Sequence, residues 1–127
     1  PLVRESRAGV IAVVFFEAES VREVDPGVVA IRLKYDPVAW TCVRRGRDGE
    51  CDVYPDRLLR SRRIVEIRIR CSDQSYEEVA VWVGDSPGSG RQLQLWEYRH
   101  PPGWRCDIAP STAVAAARDL VCATVPP

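Results

Sequence analysis

The 127-residue chain has no methionine, no asparagine, one lysine (Lys34) and one histidine (His100). Several of these absences close a class of function. Without asparagine there is no acceptor for an N-linked glycan. The single histidine lies between Arg99 and Pro101, in a segment that two adjacent prolines keep irregular. With no GxSxG elbow either, a Ser-His-Asp or Cys-His mechanism lacks a positioned base. No CxxC pair occurs, and the nearest cysteines, Cys42 and Cys51, are nine positions apart, so no metal site is expected. Gly88-Ser89-Gly90 lacks the third glycine and the lysine of a phosphate loop. Glu77 and Glu78 project to opposite faces of a strand, which makes them a poor acid/base pair. The longest apolar run, Gly9 to Phe16, falls far short of the roughly 20 residues that span a bilayer. The 18 basic residues are balanced by 18 acidic ones, whereas nucleic-acid binding calls for a basic excess. The chain is therefore expected to be no enzyme, to carry no cofactor, to bind no nucleic acid and to have no membrane span. The near-exclusive use of arginine over lysine reads as the coding bias of a GC-rich genome. Beginning at Pro1, the chain reads as a processed or excised product with no targeting signal left to interpret.

What is present is the pattern of strands. In Ile64 to Ser72, Val65, Ile67, Ile69 and Cys71 alternate with Glu66, Arg68 and Arg70, the two-residue period of a half-buried strand with three charges on its wet side. Val10 to Phe16 is continuously apolar and predicts a central strand covered on both faces. Glu17 to Gly27 is polar and closes on an Asp-Pro-Gly turn. Val28 to Tyr35 alternates with Val29, Ile31, Leu33 and Tyr35 inward; Asp36-Pro37 is expected to end it, with a separate strand at Val38 to Arg44 and a turn through Gly46 to Gly49. Glu77 to Val83 pairs as a hairpin with the Ile64 strand. Ser86 to Gly90 reads as a flexible loop and Gln92 to Tyr98 as a further strand. Ser111 or Thr112 caps a short helix from Ala113 to Leu120, and Leu120 to Val125 follows as a strand carrying Cys122. The expected fold is mainly β: an antiparallel β-sandwich of about six to eight strands forming a single domain over residues 1–127, with one short C-terminal helix and disulfide stabilisation.

Five cysteines, Cys42, Cys51, Cys71, Cys106 and Cys122, point to disulfides formed in an oxidising compartment and hence to a secreted protein. Cys42–Cys51 could staple a hairpin, though spacing leaves the connectivity open. The odd thiol is read first as buried and inert, and otherwise as pairing with a partner chain. Arg57, Arg60, Arg62, Arg63, Arg68 and Arg70 cluster along the chain. They form either a site for sulfated glycans or an acidic protein surface, or a solvated face balanced by acidic neighbours. Trp82 and Trp96 oppose the aliphatic sides of their strands, so they stand either on an outer binding face or beneath a covering segment. Trp40 and Trp104 complete the indole set.

The stretch Val65 to Ser72 (VEIRIRCS), followed by Ser75 to Val79 (SYEEV), resembles a strand of secreted poxvirus chemokine-binding proteins, the β-sandwich family of viral CC-chemokine inhibitors. Gly27 to Cys42 and the terminal Leu120 to Cys122 are compatible with that likeness, which covers about a tenth of the chain. The resemblance implies a secreted decoy that sequesters a host cytokine or chemokine through one exposed sheet face. This chain is shorter than those inhibitors and lacks their acidic loop. The sequence thus leads to a non-enzymatic module that binds a secreted protein through Glu66, Arg68, Arg70, Trp82, Trp96, Tyr98 and Trp104, residues placed by strand alternation. The alternatives are a glycosaminoglycan-binding module using Arg57, Arg60, Arg62 and Arg63, and an accessory domain of a larger surface protein.

Overall fold

A computed structural model describes residues 2–84, 91–93 and 103–123, the backbone alone for 91–93. Eight strands precede one helix: β1 (Leu2–Arg7), β2 (Val10–Asp25), β3 (Val28–Trp40), β4 (Arg44–Arg45), β5 (Cys51–Val53), β6 (Arg63–Arg70), β7 (Ser75–Val83), β8 (Arg91–Leu93) and α1 (Ala113–Cys122). Six strands form one antiparallel sheet in the order β1-β2-β3-β6-β7-β8, and β4 and β5 pair as a small second sheet. The expected class is the observed one: mainly β, antiparallel, with a short C-terminal helix and two disulfides.

One sheet face carries the core. Val14 and Phe16 of β2, Ile31 and Leu33 of β3, Val65, Ile67 and Ile69 of β6 and Val81 of β7 are buried together. Helix α1 lies over this face. Its Ala113, Ala117 and Val121 recur at a four-residue spacing and join the core cluster, and the alanines let the helix approach the sheet closely. Thr112 caps the helix by accepting a hydrogen bond from the Ala115 amide, and the Cys71–Cys122 disulfide ties its last turn to the end of β6.

Several local expectations need correction. The run Val10 to Phe16 is covered on one face only: Val10, Ala12, Val14 and Phe16 are buried, while Phe15 on the other face is exposed. The polar stretch after it continues as strand to Asp25, across a register shift between Glu17 and Arg22. Ser20 holds that irregularity together, its Oγ accepting from the Arg32 amide and donating to the Glu17 carbonyl. The turn is confined to Pro26-Gly27, where Gly27 takes φ 74°, as a type II turn requires. Nor does Asp36-Pro37 end β3. Strand β6 pairs with β3 only as far as Tyr35, so Pro37 faces a single neighbouring strand and its missing donor leaves no gap in a two-sided ladder. The C-terminal segment is helical through Cys122, so Leu120 and Cys122 do not begin a strand. Residues 124–127 of that expected strand, the Ser86 to Gly90 loop and most of the Gln92 to Tyr98 strand lie outside the described residues.

Strand β1 was not expected at all. Its Arg4, Glu5, Ser6 and Arg7 carry no apolar alternation, yet it pairs with β2 from Leu2 opposite Phe15 to Arg7 opposite Val10. The Ala8-Gly9 turn that joins them has positive φ at both residues, 49° and 84°, the backbone that matches a two-residue hairpin to strand twist.

Candidate functional site

The face of the sheet turned away from α1 gathers most of the residues singled out by alternation. On β6, Glu66, Arg68 and Arg70 share it, but their wet side is only partly wet: Glu66 is buried and the two arginines are half-buried. Glu66 anchors a network, with its Oε1 3.1 Å from Arg32 Nε and its Oε2 3.5 Å from an Arg22 terminal nitrogen. The Arg32 guanidinium stands 5.5 Å from the Trp82 ring centroid. Trp82 is half-buried opposite Ile64, on the same face as Glu66. Arg70 binds both Asp73 oxygens, the closest at 2.8 Å, and stacks over Trp104 at 4.4 Å. That hydrogen bond, helped by the Ser75 hydroxyl, holds the Asp73 carboxyl well below the usual carboxylate range. Trp96 and Tyr98 lie outside the described residues.

Sequence reasoning missed the apolar end of this face. Phe15 is 40% exposed and its cross-strand partner Leu2 61%; Ile11 and Val13 continue the row half-buried. Phe15 borders a shallow depression with Lys34, Asp36 and Arg62. The outer face thus combines an open aromatic, an arginine-braced indole and fixed guanidinium groups.

The arginines of the glycan alternative are not brought together. Arg57 is exposed, and Arg62 pairs with Asp36 at 3.2 Å. Arg60 lies 5.5 Å and 5.6 Å from the centroids of Trp40 and Tyr54. Arg63 is buried on the core side, its guanidinium 4.2 Å from the Tyr35 ring centroid. The Trp40–Tyr54 pair itself is edge-on at 5.3 Å beside the β4–β5 hairpin, which the Cys42–Cys51 disulfide staples. Cys106 is the odd cysteine, and it is exposed rather than buried because the segment around it runs over the surface. Among the described residues, no group of three His, Cys, Asp or Glu side chains is placed to hold a metal, and no helix is long and apolar enough to cross a membrane.

A second site lies on the opposite face. A cavity of about 220 Å³ opens between the sheet and the segment leading into α1. Glu5 and Arg7 of β1 and Tyr76 and Glu78 of β7 line it together, although three strands separate β1 from β7 in the sheet order; the sheet must curve to bring them to one space. Burial raises the Glu5 carboxyl, offset in part by Arg7, Arg63 and a hydrogen bond from the Ala113 amide at the start of α1. Burial likewise pushes Glu78 up to about 7, against the opposing pull of Arg7, Arg63 and Arg105. Oε2 of Glu78 is buried without a hydrogen-bond partner.

Compared with known proteins, the chain matches no family model, no curated protein and no solved structure.

Proposed function

We propose that the protein is a non-enzymatic binding module that captures a folded protein ligand on the outer face of its sheet. The observation that carries this reading is the apolar row formed by Leu2 of β1 with Phe15, Val13 and Ile11 of β2, its Leu2 and Phe15 exposed and its Val13 and Ile11 half-buried. Open apolar surface of this kind, rimmed by charge, marks protein interaction sites. Beside it, Arg32 is fixed by Glu66 and Trp82 before any partner arrives, so little side-chain entropy is lost on binding. Aromatic and arginine side chains are the residue types that carry interface energy. Two disulfides fit an oxidising compartment, and the poxvirus resemblance makes secreted cytokines and chemokines the ligands to screen first.

The test is a binding screen of the oxidised protein against a panel of folded cytokines and chemokines, with heparin as a parallel channel. A saturable protein ligand is expected, with affinity that survives physiological salt and falls at least tenfold, about 1.4 kcal/mol, in Phe15→Asp. Binding to heparin alone, lost as salt screens exposed charges, would contradict the reading.

A further inference from the structure

The cavity beneath the entry to α1 has no part in capturing a protein on the outer face, because it opens on the other side of the sheet. Its most informative feature is how Glu78 comes to be there. On β7, Val81 is fully buried and faces the core, and strict alternation from Val81 would send Val79 inward and Glu78 outward. The register breaks instead: Ala80 pairs with Glu66, but Glu78 pairs with the very next residue, Ile67. One extra residue, Val79, is taken up in this bulge, and the parity change turns Glu78 and Tyr76 to the core side. Bulges re-aim side chains in this way beside functional sites. The outcome is a carboxylate in place of a valine at the sheet's inner surface, with one oxygen buried and unpartnered. Such a group costs stability unless something donates to it.

The surrounding charges limit what that donor can be. Glu5 is engaged by the Ala113 amide, and Asp107 lies 3.4 Å from Arg105, whereas Oε2 of Glu78 is a buried carboxylate oxygen with no hydrogen-bond partner. Arg7, exposed, and Arg105, half-buried, stand among the lining residues. Above about pH 7, where Glu78 is ionised, three acidic groups (Glu5, Glu78 and Asp107) balance three basic ones, Arg7 and Arg105 in the lining and Arg63 close to Glu78, so a ligand bearing net charge would leave one charge uncompensated in a partly buried space. A molecule carrying both signs would not. The apolar part of the wall, Ile108 and Val114 with the rings of Tyr35 and Tyr76, suits a hydrocarbon side chain. At about 220 Å³ the space is below the 300 Å³ or so of a typical ligand pocket, which calls for a small molecule.

We propose that this cavity binds a small zwitterion of amino-acid type, its ammonium group donating to Glu78 and its carboxylate accepting from Arg7 and Arg105. The test is calorimetric titration of the intact, disulfide-bonded protein at pH 8 with a panel of free aliphatic and aromatic α-amino acids. For each binder, the amide and the N-acetyl derivative remove one charge at a time. At least one free amino acid is expected to saturate a single site, with either derivative weaker by tenfold or more. Glu78→Gln, which keeps the shape of the side chain, should lose binding by at least tenfold while unfolding cooperatively like the parent. Arg7→Gln at the rim should weaken the free amino acid and the N-acetyl derivative but leave the amide unaffected. Silence across the panel would overturn the proposal, as would an amide that binds as tightly as its parent amino acid or unchanged affinity in Glu78→Gln. None of these outcomes bears on the outer face.

Discussion

Glu78 makes the stability of this protein depend on pH in a defined direction. Its carboxyl keeps a proton up to about pH 7 in the folded state, against an ordinary value of 4.5. Between those two values the folded chain binds more protons than the unfolded chain, so stability falls as pH rises through that window and levels off above it. The loss amounts to about 3 kcal/mol, at 1.36 kcal/mol per pH unit. Glu5 is raised by burial in the same direction and adds to the fall. Glu78→Gln should therefore match the parent near pH 4 and exceed it in stability at pH 8, as read from urea denaturation at the two pH values; parallel pH profiles for the two proteins would count against this. At this scale the sequence was partly legible. It separates Glu77 and Glu78 onto opposite faces, but it cannot say that Glu78 is the inner one, because the apolar series Val79, Val81, Val83 conceals the bulge. Glu66 misleads for a related reason: strand alternation marks its face as polar, and only the approach of Arg22 and Arg32 from β2 and β3 makes it a buried anchor.

Among the elements, α1 depends on attachments at both ends. Thr112 caps its first turn, and Thr112→Ala should cost about 1 kcal/mol, measurable as a lowered thermal midpoint. The Cys71–Cys122 disulfide closes a separation of 51 residues and Cys42–Cys51 one of 9. Loop-closure entropy gives about 4 kcal/mol for the first and about 2.5 kcal/mol for the second. Removing each pair as Cys→Ser should therefore destabilise the chain more for Cys71 and Cys122, whereas the Cys42 and Cys51 double variant should retain the main sheet. Denaturation of the two double variants decides the order. Element boundaries were the least legible part of the sequence. β3 passes through Asp36-Pro37 because only β2 pairs with it there, a fact of sheet order that no local pattern contains. The Cys42–Cys51 staple was one of the pairings left open and Thr112 one of two cap candidates beside Ser111; both came within reach of the sequence because they rest on residues close together in the chain.

For the molecule as a whole, the mainly β antiparallel class followed from short alternating strands and turn residues, and the core face of β3 and β6 followed from their alternation. The second face of β2, which no layer covers among the described residues, did not, because a continuous apolar run carries no mark of which side another layer will cover. That face is the centre of the functional account, and Phe15 separates binding from folding. Being exposed, it should tolerate Phe15→Asp with a change in stability within about 0.5 kcal/mol. The most direct test is a backbone-amide chemical-shift map of the oxidised protein in complex with a folded ligand from the screen. Perturbations should centre on Phe15, Val13, Lys34 and the Trp82 indole, and spare the β4–β5 hairpin. A footprint confined to the Arg57–Arg62 segment or to the Trp40–Tyr54 pair, with the Phe15 row unmoved, would contradict the assignment of the outer sheet face as the binding surface.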